Sequence, residues 1–513
     1  MSSTTSHLRF SWTAALCVSL YGLGSWIVVN GLWVELPILV NYLPEGWNLP
    51  AYLSVLIQVA NLGPLFYVPL TKLCRSVSRK PYAGCLQPPE RLANYVILTV
   101  GLLSCILLAY FWDVTVSVAG SKHSVGLLAL ALFASIVDCT SSVTFVAYLT
   151  GLPVRYIGAL HFGEGFSDLV PSTVALIQGV GGSPECYNTT INGTTTLVPK
   201  YPPPRFSVPV FMYSLAAVIA ISLSAFAFVD LHPRGLGAAV RKNYLERLLK
   251  DNARSVSSTV TEDALNDTKP SQGRVGNAPT GNTAPSSDLD RSEQPLSEEK
   301  PEVGVSSSTS TYLTTTSSCC SSFGDFILPL LLLAYSSFLT YGFLPAFQSY
   351  SSAAYSQLTY HLTATLSSVI CALVIVAVTY SVPRTKLANA LLNSADTNVI
   401  AVLIRRARVT WVLIAFGASV PTAYVIYLAS ASPNPPWLGG FGPALAVISW
   451  ILLRAGFSVL RTWLWLFLSG RSRNPMSLRV AGLAIQMGAA LGAVISFLLV
   501  VHFNLFVAKL PCT

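Results

Sequence analysis

What most constrains this chain is the recurrence of apolar runs about as long as a bilayer is thick. A helix needs roughly 20 apolar residues to cross the hydrocarbon. Such runs fall at about 11–31, 50–71, 92–112, 124–150, 156–180, 206–230, 323–345, 356–381, 409–430, 440–468 and 478–507. Eleven spans of this kind leave no segment outside the membrane large enough to fold alone. Over 513 residues the chain is 52% hydrophobic and 10% charged, with a mean hydropathy of +0.57, far from a soluble domain with a polar exterior. The expected fold is an all-α integral membrane protein. The first run is too long, and too polar toward its end, for a cleaved signal peptide, so it is expected to remain in the mature chain.

Positive charge orients the spans, because short cytoplasmic loops gather Lys and Arg. With the amino terminus inside, Lys72, Arg75, Arg79, Lys80 and Arg91 share one cytoplasmic loop. Arg384, Lys386, Arg405, Arg406 and Arg408 fall in another, and Arg471, Arg473 and Arg479 in a third. The opposite side holds only Lys122, Lys200, Arg205 and Lys509. The net charge of +9 is therefore a topology signal and not a nucleic-acid patch. The same topology places the sequons at Asn188 and Asn192 outside, where they would be glycosylated, and a third at Asn266 inside. An odd number of spans puts the carboxyl terminus outside.

Residues 231–322 change character, and no aromatic occurs from Asp251 to Thr311. Such a segment cannot bury enough surface to fold and reads as a disordered cytoplasmic linker. It opens with Arg241, Lys242, Arg247 and Lys250, expected as a short basic helix near anionic lipid. The chain thus divides into a six-helix bundle over 1–230 and a five-helix bundle over 323–513, an arrangement that suits a carrier with a central site.

Eleven of the 22 acids lie between Glu246 and Glu302. Of the rest, Glu35, Asp138, Glu164 and Asp168 fall in or beside apolar spans, where an ionisable group is expensive and marks substrate or proton handling. On a helix Trp26, Asn30 and Trp33 share one face, four and seven residues apart, suited to a flat hydrogen-bonding ligand. Asp138, Ser142 and Phe145 share another, as a polar pathway with an aromatic stop or as helix packing. Gln58 and Asn61, three apart, present amides either to a heterocycle or to another helix. Glu164 lies between Gly163 and Gly165, where a backbone or a ligand can come close, and reads as a gating or substrate contact.

In the second half, Tyr341, Gln348 and their aromatic neighbours around Pro345 would form an outer gate or a stacking surface, unless they only anchor the helix at the interface. Tyr360, His361 and Thr365 open the eighth span, with His361 a pH sensor or a helix contact. Arg454, Ser458, Arg461 and Trp465 form one continuous face. Arg454 should find Asp138, Glu35 or a polar cavity, whereas Arg461 either joins it or snorkels to the cytoplasm.

Nothing here resembles a metal cluster, a phosphate loop or a nucleophile signature, so neither an enzyme nor a cofactor is expected. Among the ten cysteines only Cys186 and Cys512 are clearly exterior, which makes them candidates for a disulfide. Cys319 and Cys320 are weak palmitoylation candidates.

The strings NGLWVELP (Asn30 to Pro37), LPEGW (Leu43 to Trp47), IQVANLGP (Ile57 to Pro64), DCTSSVTF (Asp138 to Phe145), GEG (Gly163 to Gly165), QSYS (Gln348 to Ser351) and YHLTATLS (Tyr360 to Ser367) together resemble the riboflavin transporters of solute carrier family 52. The likeness keeps order through both halves and lapses in the central linker. It also lapses in the loop before the tenth span, where family members often carry a cysteine and this chain has none. The resemblance implies plasma-membrane uptake of riboflavin, vitamin B2, by an eleven-helix carrier similar to the equilibrative nucleoside transporters and major-facilitator-like. It further implies sodium independence and, in some members, a preference for acid outside. Isoalloxazine is flat with an imide edge, so indoles and tyrosines can stack on it while Asn30, Gln58 or Asn61 bond the imide, and Ser142, Thr365 or Gln348 meet the ribityl hydroxyls. Two other classes stay open: a carrier for a nucleoside or another heterocycle, and a cell-surface receptor without flux. Coupling to protons and the oligomeric state are left open.

Overall fold

A computed structural model of the protein describes residues 11–77, 88–118, 120–150, 152–182, 184–191, 194–233, 235–247, 249, 316–381, 397–471, 475–509 and 512. The first span is broken. Helix α1 (Trp12–Leu23) and α2 (Ile27–Tyr42) meet at 51° across Gly24 to Trp26, so the expected run over 11–31 extends to Tyr42. A 3-10 turn at Gly46–Asn48 leads into α3 (Leu49–Ala60) and α4 (Leu62–Val77). Then come α5 (Pro89–Phe111), α6 (Val125–Tyr148), α7 (Val154–Gln178) and α8 (Val208–Leu231).

The fold is mostly helical, as expected, with a little strand in the connections. Two small antiparallel hairpins join helices: β1 (Val116–Val118) with β2 (Ser121–His123), and β3 (Glu185–Ile191) with β4 (Thr194–Lys200). In the second, Asn188 pairs with Leu197 and stands exposed, while Asn192 lies outside the described residues.

A helix α9 over 236–247 follows α8 where the disordered linker was expected to begin. Two of its bases reach the ends of neighbouring helices. Arg241 Nη1 donates to Asp230 Oδ1 at 3.2 Å, and Arg247 Nη2 to the carbonyl of Thr150 at 3.4 Å. The rest of the expected linker up to residue 315, with Asn266, lies outside the described residues.

The second half begins with α10 (Thr316–Ser337), whose side chains at Cys319 and Cys320 are also outside the description. A π-helical turn (Phe338–Phe343), a 3-10 turn (Leu344–Phe347) and α11 (Gln348–Ser352) follow. They precede α12 (Gln357–Ser381), α13 (Thr397–Ser430), α14 (Gly442–Arg471) and α15 (Pro475–Phe497), which ends in a π-helical turn over Leu498–His502.

Among the described residues nine helices are long and apolar enough to cross a membrane, and the bent α1–α2 pair raises this to as many as ten. Helix α7, 25 residues long, is not among them, since His161, Glu164 and Asp168 interrupt its apolar character. The protein is therefore a mostly helical multi-pass membrane protein.

Lipid is as apolar as leucine, so helices associate through close packing more than through hydrophobic drive. Where α7 crosses α1, a Cβ at Gly163 would strike the backbone of Ser19, so glycine is what permits the approach. One apolar cluster gathers Tyr21, Leu36, Phe145, Phe211 and Phe226 from the first half, and another Leu333, Trp411, Phe457 and Leu464 from the second. A third joins Ala51 to Phe347, Tyr350 and Val500.

Candidate functional site

A cavity of about 440 Å³ opens between these clusters, within the usual range for small-molecule sites. The first half contributes Trp26, Asn30 and Trp33, which the break before α2 turns toward it, then Gln58 of α3, Asn61 at the α3–α4 junction, and Glu164, Ser167 and Asp168 of α7. Facing them from the second half are Tyr341, Gln348, Trp450, Arg454, Arg461 and Gln486.

Neighbouring helices hold these side chains in place. Trp26 Nε1 donates to Ser142 Oγ at 2.9 Å, and Asn30 Nδ2 to Ser167 Oγ at 3.4 Å. Asn61 Nδ2 spans the cavity floor, donating to Gln58 Oε1 at 3.1 Å and to Gln486 Oε1 at 2.8 Å, so two halves of the chain share one amide chain. Arg454 Nη1 donates to Ser368 Oγ at 2.8 Å and Ser367 Oγ at 3.2 Å, and its charge faces Asp168. Arg461 Nη1 bonds Thr340 Oγ1 at 2.5 Å, with its guanidinium 4.5 Å from the centroid of the Tyr341 ring. It lines the cavity instead of snorkelling.

Eleven of the residues anticipated from sequence line this space: Trp26, Asn30, Trp33, Gln58, Asn61, Glu164, Asp168, Tyr341, Gln348, Arg454 and Arg461. Seven do not. Glu35 is fully buried in α2, where its Oε1 accepts from Gln178 Nε2 at 3.0 Å. Asp138, also fully buried, accepts the backbone N–H of Val29 at 3.0 Å and is not the partner of Arg454. Ser142 acts behind the wall through Trp26. Phe145 packs on Tyr21, ring centroids 4.1 Å apart. Tyr360 and His361 are buried in helix packing, and Thr365 Oγ1 turns back to the carbonyl of His361 at 2.7 Å.

Sequence reasoning missed Trp450, Ser167 and Gln486. Trp450 lies four residues before Arg454 on the same helical face, so extending that face backwards would have found it; extended forwards it reaches Trp465, which is 42% exposed and outside the lining. Ser167 sits beside Asp168 and three residues after Glu164, so the polar run of α7 was a signal for it, whereas Gln486 is a lone polar residue in an apolar stretch of α15 and carries none.

At the end of α2 away from its break, the two halves also meet. Ser349 Oγ donates to the carbonyl of Trp47 at 2.8 Å, Tyr350 OH to Asn48 Oδ1 at 2.6 Å, and the Trp47 and Tyr350 rings meet edge-on at 5.7 Å. Cys186 of β3 and Cys512 form a disulfide, Cα atoms 5.8 Å apart.

Residues 10–508 match the sequence family described as solute carrier family 52, riboflavin transporter. The chain belongs to that family. Among the relatives of this riboflavin transporter family, member 3-B of Danio rerio is 32% identical over 502 residues, covering 96% of this chain and 97% of its own. Member 3 of Bos taurus is 33% identical over 524 residues, 96% of each chain, and member 2 of Homo sapiens 33% over 503 residues, 97% and 96%. Among solved structures a D-xylose-proton symporter is 14% identical at a TM-score of 0.49, covering 96% of this chain and 92% of its own.

Proposed function

We propose that this protein carries riboflavin into the cell across the plasma membrane by alternating access. The observation that carries the reading is the cavity itself: in a chain of this family, both halves supply its walls, with indoles, a phenol ring and amides exposed together. An isoalloxazine ring is flat and has an imide edge. Trp26, Trp33 and Tyr341 offer it faces, and Asn30, Gln58, Asn61 and Gln348 offer both donors and acceptors.

The six-helix and five-helix bundles rock about this central site. In this reading the exterior gate is the set of contacts between Trp47–Asn48 and Ser349–Tyr350, and their release would open it. The amino terminus is cytoplasmic and the carboxyl terminus extracellular, with Asn188 the exposed site for a glycan. Transport needs no sodium. Proton coupling is a narrower part of the reading, and the cavity carboxylates Glu164 and Asp168 are better placed for it than Glu35 or Asp138.

The test is uptake of labelled riboflavin into cells expressing the chain, with and without sodium, at acidic and neutral external pH. Saturable uptake blocked by excess riboflavin or lumiflavin, but not by a nucleoside, supports the reading. Equal rates at the two pH values would remove proton coupling, and no uptake from protein present at the surface would sink transport altogether.

A further inference from the structure

Four charged side chains line the cavity, and three of them are answered by a group of opposite character. Glu164 is bonded by His161 at 2.6 Å, while Asp168 and Arg454 face one another. Arg461 stands apart. It donates to Thr340 Oγ1 at 2.5 Å and to Ser458 Oγ at 3.2 Å and lies against the Tyr341 ring. Neither arginine belongs to an ion pair within 4 Å among the described residues, but Arg454 lies within electrostatic reach of Asp168, whereas the contacts of Arg461 include no acid.

A guanidinium remains charged at any accessible pH and carries five N–H donors in a rigid fork. At membrane depth such a group ordinarily finds an opposite charge. Here its recorded partners are two neutral hydroxyls and a ring face, all against open space.

We infer that Arg461 determines specificity by holding an electron-rich oxygen edge of the cargo, so that the cavity favours neutral or anionic heterocycles and rejects cationic ones. This rests on the transport reading above. The two carbonyl oxygens flanking the imide N–H of a flavin are an edge of that kind, and the amides of Gln58, Asn61 and Gln486 supply the acceptor for the N–H between them. Glu164 and Asp168 do not reverse the preference, because each already faces a base.

The experiment is competition against labelled riboflavin uptake by two flavins alkylated at the imide nitrogen, one ending in a carboxylate and one in an ammonium group. It is run on wild type, R461K and R461Q, each normalised to surface protein. In the wild type the carboxylate flavin should compete about tenfold better than the ammonium flavin, the scale of one charge-assisted hydrogen bond. R461Q should bring that ratio near one, and R461K should keep part of it. In the same variants the KM for riboflavin should rise about tenfold in R461Q and recover partly in R461K, with the maximal rate per surface molecule changed less.

A ratio equal in wild type and R461Q, or a wild type preferring the ammonium flavin, overturns the inference. Where neither derivative enters the cavity, an unchanged KM in R461Q does the same. If R461Q fails to reach the surface, riboflavin binding to the purified full-length variant, read by quenching of flavin fluorescence, replaces KM under the same criterion. Absence of saturable riboflavin uptake by the wild type would instead sink the transport reading and this one with it.

Discussion

Asp138 sits beside the start of α2, where the first backbone N–H groups of a helix lack an intrahelical acceptor. Its carboxylate takes the N–H of Val29, the third residue of that helix, and so caps α2 from α6 across the break. Asp138→Ala should therefore lower the unfolding temperature of the purified protein, losing about 1 kcal/mol, while Asp138→Asn keeps an acceptor and most of the stability. A D138A protein as stable as wild type yet unable to transport would return Asp138 to the substrate path. Asn30 and Trp33 differ in kind, since they face open space. Asn30→Ala and Trp33→Ala should each raise the KM for riboflavin by about tenfold at unchanged surface abundance, as measured by uptake kinetics and surface biotinylation; unchanged kinetics would remove that residue from the site.

At the scale of elements, the long apolar runs were legible because a 20-residue apolar segment has few physical alternatives to crossing a membrane. The break at Gly24 to Trp26 was not. It depends on partners far away in sequence: Ser222 Oγ bonds the carbonyl of Tyr21 at 2.7 Å, and Ser141 Oγ that of Ser25 at 3.1 Å. Helical spacing told correctly that Trp26, Asn30 and Trp33 share a face, yet spacing cannot say which face looks inward. That is why Tyr360, His361 and Thr365, equally regular in sequence, turn out to be packing. The proposed exterior gate at Trp47–Asn48 and Ser349–Tyr350 belongs to this scale too. Tyr350→Phe and Asn48→Ala each remove the same bond, so their effects on outward opening should overlap, with a coupling of about 0.5–1.5 kcal/mol. The readout is labelling of a cysteine placed at Trp33 by a membrane-impermeant thiol reagent; strictly additive rates would show that the bond does not hold the gate.

Across the whole molecule, a wall of the cavity comes from each half, and the halves are connected in sequence by a long polar stretch without aromatics between Asp251 and Thr311. The disulfide gives them a second covalent connection, because Cys186 precedes that stretch and Cys512 follows it, 326 residues later. The chain is consequently a closed ring, and the polar stretch is only one of two bonds holding it together. A protease site inserted there and cut after folding should leave one full-sized species on a non-reducing gel and two fragments once a reductant is added; separation without reductant would mean the ring is open. Cleaved protein at the surface should still take up riboflavin, since severing a ring once does not divide it.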